Sequence, residues 1–237
     1  MRKNLLAVAA AAILSTTGWA QKDNRETLEG NGKLVTREVS VGSFNELKAS
    51  GVYELKLSQG DKEGVKIEAD ENLQDLFEVK NEGNRLVIDM KKLKNKNLKS
   101  KNKMRVHITF KNLKEMDLHM VGNVASEERL SFDNLELHNQ SVGNVDLKLK
   151  ANRLDLNNQS VGNLTLSGEA QNAVLVHKSV GSLEASDFVV QTMNIDNSGI
   201  GSAEVHATKE LKVKDSMMGK VKNKGTATAR RMNKEVI

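Results

Sequence analysis

A three-residue phrase returns six times in the second half of this chain and dictates what it can fold into. It reads Val121-Gly122-Asn123, Val142-Gly143-Asn144, Val161-Gly162-Asn163, Val180-Gly181-Ser182, Ile200-Gly201-Ser202 and, degraded, Met218-Gly219-Lys220. The glycines are 21, 19, 19, 20 and 18 residues apart. A period near 20 is too short for a βαβ unit, which needs roughly 30 residues or more. It fits an all-β coil in which each strand pairs with its own copy one coil away.

Alignment on the glycine shows the role of each column. Eight and six positions before it stand Leu135 and Leu137, Leu154 and Leu156, Ala173 and Leu175, Met193 and Ile195, Leu211 and Val213. Two and four positions after it stand Val145 and Leu147, Leu164 and Leu166, Leu183 and Ala185, Ala203 and Val205. Alternation with period two marks strands with one buried face. Each repeat therefore carries two short strands with the glycine phrase turning the corner between them, and Gly122, Gly143, Gly162, Gly181, Gly201 and Gly219 are expected in one column. Four positions before the glycine the inward pattern turns polar: Asn139, Asn158, His177 and Asn197. Two positions before it stand Ser141, Ser160 and Ser179. Buried Asn in register can bond to its neighbours in a ladder, and Asn and Ser can satisfy corner backbone. The column is read as a structural polar ladder.

The N-terminus carries a different signal. Arg2 and Lys3 precede the apolar run Leu5–Leu14, and Gly18-Trp19-Ala20 supplies small residues where a signal peptidase cuts. Residues 1–20 are read as a secretory signal peptide, too short to span a membrane stably, with cleavage expected before Gln21. No cysteine follows the run, so the lipoprotein route is not expected, and no later stretch reaches transmembrane length. An exported chain without cysteine depends on its core rather than on disulfides. There is no proline either, so turns rest on Gly, Asn, Asp and Ser. Aromatics make up 3%, and Trp19 lies in the signal, which argues against stacking on sugars or single-stranded nucleic acid.

The formal charge is +5, but it is local: Lys91, Lys92, Lys94, Lys96, Lys99, Lys101 and Lys103 fall in one acid-free segment. Residues 91–103 are expected to form an exposed excursion between strands, and they are the candidate site for an anionic polymer. Residues 21–36 read as a polar leader or linker, 37–225 as the solenoid domain and 226–237 as a basic tail. The strands between Leu34 and Phe110 lack the strict period and read as an irregular cap on one end of the solenoid. Within them, Asp70-Glu71-Asn72 opens a short helical turn through Leu76, and Glu82-Gly83-Asn84 makes a hairpin turn.

These residues reach a family. Val41-Gly42-Ser43-Phe44-Asn45-Glu46-Leu47-Lys48-Ala49-Ser50-Gly51, then Tyr53 to Gly60, Val65 to Ala69 and the turn and strand Gly83 to Ile88, together with the Ser-Val-Gly-Asn repeats, resemble the head GIN domain family. That family is described as heads of auto-transporter adhesins, common in exported proteins of Gram-negative bacteria. The resemblance covers roughly residues 37–225. It implies a right-handed parallel β-helix-like fold in the cell envelope, in the periplasm or at the surface, without enzymatic activity, cofactor or active-site residues. The closing stretch Gly219 to Ala227 lacks the Tyr and Pro that often end such domains.

Candidate chemistry is sparse. The histidines (His107, His119, His138, His177 and His206) form no His-Glu-x-x-His pattern, so no metal site is expected. Asp117, Glu136, Asp155 and Glu184 are single outward acids, the first three aligned as an acidic outer stripe. No Gly-x-Ser-x-Gly elbow or phosphate loop occurs. The reading is a non-catalytic adhesion, binding or scaffolding surface for an envelope or extracellular ligand, glycan or protein, with no sequence-specific nucleic acid. The alternatives are an envelope polysaccharide hydrolase or lyase, which requires clustered acids across adjacent coils, and a polyanion binder acting through the lysine segment.

Overall fold

A computed structural model describes residues 26–93, 96–216 and 218–232. The signal segment 1–20, Lys94 and Met217 lie outside them. The chain enters through β1 (Glu26–Glu29) and β2 (Leu34–Val39), then forms a coil from β3 (Glu46–Val52) and β4 (Glu54–Gln59). It leaves through β5 (Gly64–Asp70), a 3₁₀ helix (Glu71–Leu76) and β6 (Phe77–Glu82). A further coil follows in β7 (Arg85–Met90), β8 (Lys96–Lys99) and β9 (Arg105–Phe110). The regular body then runs through β10 (Glu115–Val121), β11 (Val124–Ser126), β12 (Leu130–Asn139), β13 (Val145–Asn158), β14 (Leu164–His177), β15 (Leu183–Asn197) and β16 (Ala203–Asp215). It ends in β17 (Val221–Asn223) and β18 (Ala229–Arg231).

The result is an all-β solenoid of stacked coils, and one residue column shows why it holds. Leu86, Leu47, Met116, Leu137, Leu156, Leu175, Ile195 and Val213 are successive parallel partners on one side. All eight are buried. Each coil contributes a few aliphatic side chains, and only the stack seals them from water. At about 4.8 Å per strand the eight rungs span about 34 Å.

The glycine corners behave as the period demands. Gly122, Gly143, Gly162, Gly181 and Gly201 have φ between +133° and +145°. A Cβ on any of them would fall 2.1–2.3 Å from the carbonyl oxygen of the corner beneath. Any other residue would force the coils apart at this point. Gly219 departs from the column. It lacks the positive φ, and its N–H donates to Ser216 Oγ at 3.0 Å, because the shortened last coil makes its own turn.

The N-terminal half is more regular than its sequence suggests. The β3–β4 coil sits between the β7–β9 coil and the β10–β11 coil, so spatial order differs from chain order. Its corner is Gly51-Val52-Tyr53. Val52 pairs with Val121, and Tyr53 stands where the later coils place glycine. The true cap is antiparallel: β6 closes one sheet edge against β7, and β2 and β5 extend the other beyond β9. Leu73, Leu76 and Phe77 cover the end of the core between them. Two expected boundaries shift. The segment 21–36, read as leader, already holds β1 and the first residues of β2, and Ala229–Arg231, read as tail, pairs with β16. β1 and β18 are charged strands without apolar alternation, which is why periodicity misses them.

Candidate functional site

The polar column is buried at Asn139, Asn158, His177 and Asn197. Asn139 Nδ2 donates to Asn158 Oδ1 at 2.7 Å, and Asn158 Nδ2 lies 3.0 Å from His177 Nδ1. His177 Nε2 lies 3.2 Å from the Gly181 carbonyl. An amide donor on one ring nitrogen and a carbonyl acceptor at the other fix the neutral ring with its proton on Nε2. Burial holds the His177 pKa below its usual value, in the same sense. Asn197 does not continue the ladder. Its Nδ2 donates to the Gly201 carbonyl at 3.2 Å. The serines serve the corner backbone: Ser160 N–H donates to Ser179 Oγ at 3.0 Å, and Ser179 Oγ donates to the Asn158 carbonyl at 3.0 Å.

A second ladder, which the sequence phrase contained but strand alternation did not reveal, runs outside. Asn123 Oδ1 accepts from Asn144 N–H, Asn144 Oδ1 from Asn163 N–H, and Asn163 Oδ1 from Ser182 N–H, each at 3.0 Å. The asparagine just after the corner therefore clips each coil to the next.

The lysine segment is not a free excursion. It is the enlarged corner of the β7–β9 coil, and β8 within it pairs in parallel with β1. Leu93 and Leu98 pack against the core. Four lysines have acidic partners: Lys96 with Glu26 at 2.9 Å, Lys99 and Lys101 with Glu29 at 3.4 and 3.9 Å, and Lys103 with Glu54 at 3.0 Å. Lys103 and Arg105 hold the Glu54 carboxyl below the usual range. Lys91 and Lys92 are exposed, with no acidic partner among the described residues. The end of the segment is anchored by Asp70, whose carboxylate accepts from Asn102 Nδ2 at 2.5 Å, Lys101 N–H at 2.9 Å and Ser100 Oγ at 3.0 Å. Burial pushes the Asp70 pKa up, but these donors outweigh it and the net shift is downward.

The outward acids are in a different register from the one expected. Asp117 pairs with His138, not with Glu136. The stacked column is Glu46, Glu115, Glu136 and Asp155. Each is paired: Arg85 bridges Glu46 at 2.7 Å and Glu115 at 3.2 Å, His138 meets Glu136 at 2.9 Å, and Arg153 meets Asp155 at 2.7 Å. A groove of about 550 Å³ beside them is lined by Asn112, Lys114, Asp133, Glu136 and Asp155, so adjacent coils do bring three carboxylates to one depression. The remaining histidines also have neighbours. His119 meets Asp117 at 2.7 Å, His107 lies 3.6 Å from Glu68 and 3.8 Å from Glu127, and His206 Nδ1 lies 3.0 Å from the Ser186 carbonyl. No cluster of three or more His, Cys, Asp or Glu able to hold a metal ion occurs among the described residues.

The coils are parallel, and successive corners from Gly122 to Gly201 carry a glycine of positive φ. Residues 43–227 match the family described as "putative auto-transporter adhesin, head GIN domain". The chain belongs to the head GIN domain family. No curated protein matches it. Among solved structures, a putative adhesin from Bacteroides fragilis NCTC 9343 is 28% identical, with a TM-score of 0.70 over 86% of this chain and 100% of that one. A putative adhesin from Parabacteroides distasonis ATCC 8503 is 21% identical, with a TM-score of 0.62 over 87% of this chain and 96% of its own. A protein from the same organism described as a putative lipid-binding protein is 19% identical, with a TM-score of 0.61 over 88% and 100%. The last two share the fold alone. The family description and that of the Bacteroides fragilis structure both name adhesion. No helix among the described residues is long and apolar enough to cross a membrane.

Proposed function

We propose that this head GIN protein is a non-catalytic exported solenoid that presents its side faces as an adhesion or binding surface in the cell envelope. The observation that carries the reading is that the column most suited to chemistry is buried in the stack, with only the Asn139 and Asn197 amide oxygens left without a partner among the described residues. The buried Asn139–Asn158–His177 chain is bonded internally and to corner backbone, and it faces the core rather than a cleft. Family membership and the adhesin relatives support a binding role, and the N-terminal segment supports export. The ligand class that we propose is an envelope or extracellular glycan or protein. A glycan array and a pull-down from envelope extracts with the purified chain test it. Saturable retention of one ligand class supports the reading, and no retention across both contradicts it.

The groove at Asp133, Glu136 and Asp155 supports a second reading, cleavage of a polysaccharide. Paired carboxylates on either side of a glycosidic bond are the usual requirement. If that reading held, Glu136→Gln would abolish release of new sugar ends, and retention of the polymer would persist.

A further inference from the structure

One outward column of the solenoid is apolar from the β3–β4 coil to the last one. Val52, Val121, Val142, Val161, Val180 and Ile200 are 48–53% exposed, and Met218 is 67% exposed. They stand directly above one another. Val52 pairs with Val121, and bridges join Val121 to Val142, Val142 to Val161, Val161 to Val180 and Val180 to Ile200. The Met218 carbonyl accepts from Gly201 N–H in the same pattern. Six steps of about 4.8 Å make a ridge about 29 Å long. The core does not need it, since these side chains point away from the buried columns. Seven side chains about half or more exposed leave on the order of 500–600 Å² of apolar surface, the upper end of the largest patch on a typical monomer, which is often functional.

The ridge has two unlike flanks. Just before it run Ser50, His119, Gln140, Gln159, Lys178 and Ser198, and just after it Glu54, Asn123, Asn144, Asn163, Ser182 and Ser202. On the second flank the Asn Oδ1 atoms are engaged in the outer ladder, while their Nδ2 amines make no bond among the described residues. On the first, Gln159 donates through Nε2 to Asn157 and keeps its Oε1 as an acceptor, and Gln140 makes no side-chain bond among the described residues.

We infer that the ridge is the contact by which two copies of this chain pair side by side, their solenoid axes parallel, about a two-fold axis running along the ridge. That operation sets each valine against its own counterpart and the first flank against the second. Gln140 then faces the partner copy's Asn144 position, and Gln159 the Asn163 position, so that free amide acceptors meet free amide donors. Lys178 faces Ser182. No two like charges meet along the flanks, as an isologous contact requires. Pairing two ridges removes at most about 1,000–1,200 Å² of apolar surface from water, at the threshold for a specific association.

The test uses the purified protein, expressed with its full N-terminus in an exporting bacterial host so that any processing takes place. Sedimentation and light scattering from 1 to about 100 µM should show a reversible dimer. Val142→Glu and Val142→Lys should each raise the dimer Kd by about 100-fold or more, because like charges then oppose each other across the axis. At concentrations where the wild type is monomeric, both should keep its melting temperature, since the side chain is half exposed. Mixing the two variants should restore a dimer, which only a register that sets residue 142 against residue 142 allows. The same pair of changes at Val121 repeats the test should Val142 prove intolerant. A monomer throughout the range, a dimer indifferent to the substitutions, or no restoration on mixing would overturn the inference. So would a monomer that floats with phosphatidylcholine vesicles through this ridge, which would assign it to a lipid surface.

Discussion

His177 stands where the coils on either side place asparagine, and this makes it a pH-sensitive member of an otherwise neutral ladder. Its pKa is depressed by burial, so below about 6.5 the unfolded chain takes up a proton that the folded ring refuses. Stability from this group is complete above that pH and is lost as the pH falls through and below it. His177→Asn should keep the ladder and flatten the dependence of the urea midpoint between pH 7.5 and 5. Equal slopes for the two proteins would show that the ring is protonated or exposed in the fold. Asn158→Leu should cost about 1–3 kcal/mol, because the Asn139 and His177 partners and Ser160 Oγ lose a buried bond. Gly162→Ala should cost about 3 kcal/mol or more. Its φ is +133°, and the new Cβ would lie 2.3 Å from the Gly143 carbonyl oxygen. Chemical denaturation reads both. A Gly162→Ala change of less than 1 kcal/mol would mean that the corners are looser than their register implies.

Among the elements, the contrast between β13 and β8 explains what the sequence could and could not tell. β13 was legible because Leu154 and Leu156 repeat the pattern of Leu135 and Leu137 one coil earlier, and period-two burial follows from backbone geometry alone. β8 was not, because its pattern is Lys-Asn-Leu-Lys and its stability comes from β1, some 70 residues away, through paired charges and Leu98. The β3–β4 coil was missed as a coil because Tyr53 replaces the corner glycine and because spatial order departs from chain order. The inner ladder was legible from column polarity. The outer one was not, since its Asn side chains bond to backbone of the next coil, a contact that no spacing within one coil announces. Deleting residues 91–103 should therefore do more than remove charge. With Leu93 and Leu98 gone and β1 unpaired, about 2–4 kcal/mol should be lost and the melting point should fall by about 5–15 °C. An unchanged melting curve would restore the view of this segment as a free loop.

The whole molecule is a stacked body in which many ionisable groups among the described residues answer one another across or along coils: Glu204 with Lys222 and Lys224, Asp215 with Arg231, Asp196 with Lys214. Such pairs at the surface contribute little each to stability. What the fold offers is long, regular faces, one of them apolar and the rest polar, over about 34 Å of stacked coils. The most direct test of this account is to incubate the purified protein with the polysaccharides and envelope fragments it retains, and to follow retention and polymer mass together. The account predicts saturable retention with the polymer recovered at its original mass and without new sugar ends. Progressive shortening of the polymer, abolished by Glu136→Gln, would contradict it.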